Sequence, residues 1–223
     1  MKAHLATYLG ATALFCVGHA EAVQEVHLEF SDVALEGTSF CCGSYHTCAL
    51  QMQRKDHHNL GIVEAGPSLC WGRDYLNQVD APEDQEFVQI SCGGTFTCGI
   101  TPEEQVVCWG GIGGNLDGRF VQISAGLDHA CAVALSGHVE CMGRNSRGEA
   151  SPPALAQIAS DGERFIQVSA GKSHSCALTN KGTVHCWGSN DKGQCDVPRL
   201  RQEHDDDDDD DDDDSAGHIA FRQ

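Results

Sequence analysis

The sequence has few basic residues and no apolar run long enough to cross a membrane. It contains 14 Lys and Arg residues against 33 Asp and Glu residues, which gives a formal net charge of −19. A protein that binds a phosphate backbone needs clustered Lys and Arg, so the composition argues against a nucleic-acid partner. A transmembrane helix needs ~20 consecutive apolar residues, and no segment of the sequence reaches that length. We therefore expect neither nucleic-acid binding nor a membrane span.

Aromatic residues and catalytic signatures are scarce as well. Aromatics make up 6% of the chain, while glycine contributes 25 residues, a composition that suits many short strands joined by tight turns. The motifs G-x-S-x-G, G-x-x-x-x-G-K-S/T and H-E-x-x-H do not occur in the sequence, so the commonest hydrolase, nucleotide-binding and metalloprotease signatures are missing. We predict no catalytic residue, no cofactor, no bound metal and no enzymatic activity.

The first 22 residues have the features of a secretory signal peptide. Lys2 precedes an apolar stretch from Leu5 to Val17, and Ala20-Glu21-Ala22 is an A-x-A cleavage signal, with a second option at Ala20. The alternative is a buried N-terminal helix. Cleavage would remove Cys16 and leave twelve of the 13 cysteines, an even number at a density typical of secreted disulfide scaffolds. The expected location is therefore secreted or extracellular.

A repeated unit organises the rest of the chain. The stretch from Phe165 to Gly188 recurs from Phe120 to Gly143 and from Phe87 to Gly110, with a looser copy that begins at Phe40. Self-similarity at such intervals is typical of solenoids, propellers and arrays. We predict a repeat domain over residues 23–199, with repeats at about 38–86, 87–119, 120–164 and 165–198, and possible extra pairing of an N-terminal strand in Val23–Ser39.

Each repeat carries two cysteines that antiparallel pairing would place opposite each other. Pairing about Lys181 sets Cys176 against Cys186 and leaves Asn180-Lys181-Gly182 as a three-residue turn, with glycine in the left-handed position. The same register predicts four cross-strand disulfides, namely Cys48–Cys70, Cys98–Cys108, Cys131–Cys141 and Cys176–Cys186. In the second repeat, Glu104 stands where the other turns have Gly137 and Gly182, so we expect that turn to be strained or different.

Four cysteines lie outside these predicted hairpin pairs. Cys42 and Cys92 occupy equivalent positions in adjacent repeats, which suggests a bridge between them, and Cys195 with Cys41 would complete the set. Zinc is the competing explanation for paired cysteines. Structural zinc sites favour closely spaced C-x₂₋₄-C pairs, and the hairpin cysteines lack that spacing, so disulfides are favoured.

Two further positions recur and invite a functional interpretation. His46, His129 and His174 share one repeat position with Phe96, which favours packing and turn hydrogen bonding over ligand binding. A tryptophan follows the second hairpin cysteine in three repeats, with methionine in the third. We expect these side chains to pack between repeats rather than form an aromatic ligand cage; they are Trp71, Trp109, Met142 and Trp187.

These motifs resemble the RCC1-like repeat. The resemblance lies in S-A-G-x-x-H-S/A-C-A-L/V, then G-x-V-x-C-W/M-G, then N-x-x-G-Q/E, as in Ser169–Leu178, Gly182–Gly188 and Asn190–Gln194. It implies an all-β fold, a β-propeller whose blades are small four-stranded sheets, usually seven around a channel. With about four repeats, this chain is expected to form a partial or open propeller rather than a closed four-bladed ring. Three explanations are open: the chain forms an open arc, it is a truncated gene product, or it assembles with another copy.

Two segments stand out from the repeats. The polar stretch Gln51–Ser68 lengthens the first hairpin, and we predict that it is a surface loop that determines specificity. Residues 200–223 form a tail that contains Asp205–Asp214, ten consecutive aspartates. Such a run buries nothing, so we expect a disordered, solvated tail rather than a folded calcium site.

The function predicted from these observations is a secreted, disulfide-stabilised protein-interaction module without catalytic activity, whose partner is an unidentified protein or peptide. An alternative implied by the resemblance is a protein inhibitor of a secreted enzyme, as in the β-lactamase inhibitory protein BLIP-II. The guanine-nucleotide exchange and chromatin-binding role of RCC1 itself is a further alternative, and the signal peptide, the cysteine pairs and the acidic charge argue against it.

Overall fold

The computed structural model describes residues 40–50, 65–112, 116–158 and 162–198. These residues form four antiparallel sheets of three strands each, in the order first, second, third along the chain. The first strand of each following blade lies against the first and second strands of the preceding blade, like blades of a propeller, and the ring is not closed. We number the sheets blades 1 to 4 in chain order. The described part is all-β apart from one short helix, as the sequence predicts.

The strands are short and are joined by tight turns. Blade 1 contains β1 (Phe40–Cys42), β2 (His46–Leu50) and β3 (Ser68–Gly72); blade 2 contains β4 (Gln89–Cys92), β5 (Phe96–Ile100) and β6 (Val106–Gly110). Blade 3 contains β7 (Phe120–Ala125), β8 (His129–Ala134) and β9 (Val139–Gly143), followed by the helix α1 (Leu155–Ile158). Blade 4 contains β10 (Phe165–Ala170), β11 (His174–Thr179) and β12 (Val184–Gly188).

Each second hairpin carries a disulfide at the register that the sequence predicts. Cys48, Cys98, Cys131 and Cys176 lie directly opposite Cys70, Cys108, Cys141 and Cys186, with Cα–Cα distances of 4.0–4.1 Å. In blade 2, backbone hydrogen bonds from Thr101 N–H to Gln105 C=O and from Gly111 N–H to Thr95 C=O place the cysteines at a non-hydrogen-bonded pair. Opposed residues approach most closely at such pairs, so these positions suit a cross-strand disulfide.

The hairpin turn of blade 2 has the same form as the others despite its missing glycine. Gly137 and Gly182 adopt φ angles of 86° and 83°, and Glu104 adopts 65° at the equivalent position. In all three turns the backbone N–H of this residue donates to the carbonyl oxygen of the residue three positions earlier, with N–O distances of 2.8–3.0 Å. Of the two expected outcomes, a strained or a different turn, the structure shows the strained one, because Glu104 carries the left-handed conformation that β-carbon sterics disfavour.

The blades differ from the four-stranded sheets that the resemblance implies. After β9, Asn145 Oδ1 accepts the Ala150 N–H, and after β12, Asn190 Oδ1 accepts the Cys195 N–H, each at 2.9 Å. The same turn follows β3, where Asp74 replaces the asparagine and accepts the Val79 N–H. Side-chain capping closes the chain into a compact turn here, so the residues do not continue as a fourth strand.

The structure corrects the predicted pairing of the remaining cysteines. Cys41, and not Cys42, forms the disulfide with Cys92, with a Cα–Cα distance of 5.3 Å. Cys42 is also disulfide-bonded, to a partner outside the described residues. Cys195 is a free thiol, half-buried, whose sulfur lies 3.4 Å from the Ser189 carbonyl oxygen. The predicted Cys42–Cys92 and Cys41–Cys195 pairs were both wrong.

The core lies between consecutive blades, with one apolar cluster at each junction. The cluster between blades 3 and 4 joins Cys131, Val133 and Val139 to Phe165, Val168 and Ala177. The disulfide of a blade faces the next blade, because Cys48, Cys98 and Cys131 are fully buried within the junction that follows them. The disulfides are thus part of the core packing.

Candidate protein-interaction surface

Polar side chains on the first strands connect each blade to the next. Ser91 Oγ accepts the Ala125 N–H at 2.9 Å, and Ser124 Oγ accepts the Ala170 N–H at 3.0 Å. Two residues earlier, Gln89 Oε1 accepts the Ile123 N–H, and Gln122 makes the matching bond to Val168. These bonds satisfy backbone groups on strands that have no other partner on that side.

The same offset explains the Cys41–Cys92 disulfide. Cys41 aligns in the repeat with Ser91 and Ser124, whereas Cys92 aligns with Ala125 and Ala170. A serine position in one blade faces the alanine position of the next, so adjacent first strands are staggered by one residue. At the first junction this contact is covalent. The stagger is the reason that equivalent positions, Cys42 and Cys92, do not meet.

The recurring histidine is paired with a hydroxyl in the following blade. His46 Nε2 lies 2.8 Å from Thr97 Oγ1, and His129 Nε2 lies 2.8 Å from Ser175 Oγ. Thr97 and Ser175 each donate their own proton to a backbone carbonyl, so each hydroxyl accepts from the histidine N–H. In blade 2 the pair is apolar, with Phe96 in one core cluster with Ala130. Packing and hydrogen bonding therefore explain this position.

Burial disfavours the charged form of these histidines. Burial lowers the pKa of His129 below its ordinary value of 6.5, and Glu149, although it acts in the opposite direction, does not cancel the effect. Burial likewise lowers the pKa of His46. Each ring covers a glycine three residues earlier, because a Cβ on Gly43 or Gly126 would lie within 2.6 Å of a ring atom. The glycine at this repeat position thus leaves the space that the aromatic ring occupies.

Glu149 is the most deeply buried carboxyl group in the described residues, at 1% exposure. Burial alone would raise its pKa, but backbone N–H groups, including that of Arg147, together with His129 and Arg144, hold the pKa below its ordinary value. Its Oε2 accepts the Arg147 N–H, as Gln78 and Gln194 accept the equivalent N–H groups. The carboxylate therefore has the structural role of a glutamine, with an added charge.

The tryptophan position packs against the preceding blade. Trp109 is 6% exposed and contacts Phe87 at 5.3 Å between ring centroids, in a cluster that includes Cys48 of blade 1. Trp187 is 9% exposed and donates its Nε1–H to the Glu149 carbonyl at 3.0 Å. Met142 packs against the junction of blades 2 and 3. Trp71 of blade 1 is 38% exposed.

An exposed aromatic and cationic cluster lies on blade 1. The Arg73 guanidinium stacks over Tyr45 and Tyr75, 5.2 Å and 4.5 Å from the two ring centroids. Both tyrosines are more than half exposed, at 62% and 55%, and Leu76 beside them is 41% exposed. We call Tyr45, Arg73 and Tyr75 the stacked patch. Tyrosine and arginine dominate binding hot spots in protein interfaces, and stacking restricts the rotamers of all three before a partner arrives.

A cavity of 830 Å³ adjoins the stacked patch. It is lined by the loops between first and second strands of all four blades, so it lies at the centre of the arc, with Tyr45 at one side and Lys172 at another. Six glycines and two alanines are among its 17 lining residues, including Gly43, Gly94 and Gly126, and Tyr45 and Trp71 line it as well. A cavity with many small lining residues and aromatic rings suits an extended peptide or a protruding loop.

Two other side-chain clusters bring together residue types that catalytic and metal sites use. Ser136, His138 and Glu140 form a hydrogen-bonded chain on the third hairpin, but His138 and Glu140 are about 40% exposed and lie on a strand surface. His46, Cys48 and Cys92 lie within 4.8 Å of one another. Zinc binds thiolates, and both sulfurs are held in disulfides.

The sequence did not predict the stacked patch. Tyr45 and Tyr75 are the only tyrosines after the predicted signal peptide, and both stand where the other repeats have small or polar residues. That departure from the repeat is the feature that could have revealed them. Most of the predicted specificity loop, residues 51–64, lies outside the described residues, as do the predicted signal peptide, the predicted strand in Val23–Ser39 and the aspartate tail. No helix in the described ranges is long and apolar enough to span a membrane.

The comparisons with known proteins agree with the fold. The regulator of chromosome condensation (RCC1) repeat matches residues 87–118, 120–149 and 165–194. The entire ectodomain of the Physcomitrella patens receptor kinase CR4 is 25% identical with a TM-score of 0.51, over 73% of this chain and 43% of that chain. Human WBSCR16 is 20% identical with a TM-score of 0.52, over 71% and 50%. No curated protein sequence matches significantly.

A third solved structure is Prp20p from Saccharomyces cerevisiae, described with its binding to Gsp1p and histones. It is 18% identical with a TM-score of 0.55, over 74% of this chain and 47% of that chain. The chain thus spans half or less of each of these three neighbours. The repeated junctions and these matches together define an open arc of propeller blades. RCC1 repeats are found at three places in the chain, and its fold is similar to that of RCC1-like propellers.

Proposed function

We propose that this chain is a secreted, disulfide-stabilised protein-interaction module, and that the stacked patch beside the central cavity is its recognition surface. The observation that carries the proposal is the exposed stacking of Arg73 between Tyr45 and Tyr75. Elsewhere, the recurring histidines and glutamines are used in bonds between blades. The stacked patch is instead exposed and specific to repeat one, which is where a binding function is expected.

The oxidised state supports the secreted part of the proposal. Five disulfides lie within the described residues, and disulfides persist in oxidising compartments. Peptide mapping without reduction, on protein recovered from the culture medium of expressing cells, tests this directly. Retention inside the cells, or free thiols at Cys98, Cys108, Cys131 and Cys141, would contradict it.

The binding surface is tested by cross-linking capture from culture medium with the oxidised full chain. We expect Arg73→Ala and Tyr75→Ala each to weaken capture of the main partner by about tenfold or more, since truncating a hot-spot residue costs about 2 kcal/mol. Arg119→Ala is the matched control, because Arg119 is exposed and pairs with Glu104 on another blade. Equal capture by all three variants would overturn the stacked patch as the binding surface.

The identity of the captured protein separates the two functional alternatives. A range of non-enzymatic partners, or one receptor-like protein, supports an interaction module. Recovery of one dominant secreted hydrolase, inhibited by the wild-type chain and not by Arg73→Ala, would replace this proposal with the inhibitor function.

A further inference from the structure

The junctions between blades show how one blade binds an extended strand. Gln122 of blade 3 accepts the Val168 N–H at 2.7 Å and donates its amide N–H to the Val168 carbonyl at 2.9 Å. Two residues further along, Ser124 accepts the Ala170 N–H at 3.0 Å. The corresponding glutamine and serine of blade 2 accept the equivalent N–H groups of blade 3. The two side chains thus bind the backbone of the first strand of the next blade on alternate residues.

The bound strands share a pattern of side chains. Each has phenylalanine, then isoleucine or valine three positions later, then alanine or cysteine two positions after that: Phe87, Ile90 and Cys92; Phe120, Ile123 and Ala125; Phe165, Val168 and Ala170. The phenylalanine and the β-branched residue are at most 4% exposed in all three strands. In recognition of an extended segment, backbone hydrogen bonds give affinity and pockets for alternate side chains give specificity. The junctions therefore define a recognition pattern, Phe-x-x-(Val/Ile)-x-(Ala/Cys).

Blade 4 has the same hydrogen-bonding groups at its outer face. Gln167 and Ser169 align with Gln122 and Ser124. Both side chains of blade 4 are exposed, whereas those of blade 3 are half-buried under the next strand. Within the part of the chain that the structure describes, neither Gln167 nor Ser169 makes a side-chain hydrogen bond. The groups that bind a strand are thus present on blade 4 and accessible.

The apolar side chains beside these groups are also less covered than their equivalents. Val133 and Val139 of blade 3 are 1% and 6% exposed in the cluster with the first strand of blade 4. Leu178 and Val184, which align with them, are only half-buried. A strand bound as at the other junctions would cover both. We call these side chains the strand-binding face of blade 4, namely Gln167, Ser169, Leu178 and Val184.

We propose that the strand-binding face takes an extended segment of a partner protein that carries the pattern Phe-x-x-(Val/Ile)-x-(Ala/Cys). In this contact Gln167 bonds the N–H and the carbonyl of the β-branched residue, and Ser169 accepts the N–H of the small residue two positions later. The phenylalanine and the β-branched side chain cover Leu178 and Val184.

The occupant comes from another protein, because this chain has no spare copy of the pattern. The pattern occurs three times in the sequence, beginning at Phe87, Phe120 and Phe165. All three phenylalanines are at most 1% exposed, and all three strands are already held in a junction, by a disulfide in blade 2 and by hydrogen bonds in blades 3 and 4.

Fluorescence anisotropy with a labelled peptide tests the proposal. The probe is the synthetic peptide G-R-F-V-Q-I-S-A-G, the sequence of residues 118–126, titrated with the oxidised full chain. We expect saturable binding. A second peptide with the change Ile123→Asp should bind at least about tenfold more weakly, because its charge would be buried without a partner. A change in the peptide leaves the fold of the protein unaffected.

Variants of the protein locate the binding. Gln167→Ala with Ser169→Ala removes the groups that bind the peptide backbone and should weaken binding by about tenfold or more. Gln105→Ala is the matched control, because Gln105 is an exposed glutamine on the hairpin of blade 2, and its affinity should equal that of the wild type. Arg73→Ala should also bind as the wild type does, since the stacked patch lies on blade 1, so this result does not depend on the proposed role of that patch.

Two results would overturn the proposal. The first is the absence of saturable binding, or equal affinity of the peptide for the wild type and the double variant. The second concerns a different occupant and is measured by sedimentation velocity over an about 100-fold concentration range, because association depends on concentration. If the wild-type chain self-associates and the peptide dissociates the assembly, the face binds a second copy and not a partner protein. A chain that stays monomeric and binds the peptide supports the proposal.

Discussion

At the scale of single residues, the recurring position that holds histidine or phenylalanine shows how a side chain in one blade is matched to its neighbour in the next blade. His46 and His129 face hydroxyls, while Phe96 packs in one cluster with Ala130. The sequence predicted packing at this position, because phenylalanine substitutes for histidine there. It did not predict the hydroxyl partners, because they lie 46 or 51 residues away and only the stagger of the blades brings them together.

The paired change His129→Phe with Ser175→Ala should weaken the pH dependence of stability. The folded pKa of His129 lies below 6.5, so below about pH 6.5 the unfolded chain binds more protons than the folded chain. The free energy of unfolding therefore decreases as the pH is lowered. One such group contributes at most about 1.4 kcal/mol per pH unit. Urea unfolding of the oxidised protein at about pH 7.5 and pH 5.5 measures the change in slope.

Ser175→Ala alone is the control for this variant, since it keeps the titrating ring and should keep the pH dependence. If the double variant loses as much stability on acidification as the wild type does, His129 is not a source of the effect. Glu149, Asp128 and His174 also influence the ring and are unchanged in both variants.

At the scale of the element, the hairpin is the part of the fold that the sequence predicts best. Symmetric spacing of two cysteines about a short turn specifies the register, because opposed positions in an antiparallel pair sum to a constant. The structure has that register in blades 2, 3 and 4, including the turn at Glu104. The outer edge of the blade was predicted less well, because side-chain capping by Asn145 and Asn190 replaces a fourth strand.

Glu104→Gly should be more stable than Glu103→Gly by about 1–2 kcal/mol, the cost of a left-handed conformation at a residue with a Cβ. Both changes add the same flexibility to the unfolded chain, but only Glu104 has a positive φ. Urea unfolding without reductant measures the difference. Glu104→Gln serves as the control for the lost ion pair with Arg119. Equal stability of the two glycine variants would show that the turn stores no strain.

At the scale of the whole molecule, apolar clusters and side-chain hydrogen bonds hold consecutive blades together at each junction. A disulfide between blades adds to them at the first junction. The sequence predicted the number of blades and the open arc through the repeat and its resemblance. It did not predict the Cys41–Cys92 pair, because equivalent positions in two adjacent repeats do not lie opposite each other. Adjacent first strands are staggered by one residue, and the sequence of a single repeat does not reveal this stagger.

Cys41→Ser with Cys92→Ala should convert the first junction into the form of the other two. The expected product folds, because Ser91 and Ser124 already make this contact with Ala125 and Ala170. It should lose up to about 4 kcal/mol of stability, since the disulfide closes a loop of 51 residues. Hydrogen exchange should show blade 1 opening before the rest of the arc.

Cys131→Ser with Cys141→Ala is the matched comparison, because that disulfide closes a loop of only 10 residues and the entropic loss should be smaller, about 3 kcal/mol. If removal of Cys41–Cys92 costs less than removal of Cys131–Cys141, loop closure does not determine the contribution of these disulfides. Uniform loss of protection over all blades would show that the first junction is not an independent unit.

The pairing of ring and hydroxyl across each junction has a consequence for how such a chain can change by duplication. A blade whose second strand starts with histidine is compatible only with a next blade that has threonine or serine as the second residue of its own second strand. The blade with Phe96 requires a small apolar residue there, as Ala130 is. Exchanging blades 2 and 3 would set a histidine against an alanine and leave its buried N–H without an acceptor, which costs about 1–3 kcal/mol. The order of the blades is therefore encoded in their junctions, and recombination between repeats should survive only where both partners of a junction move together.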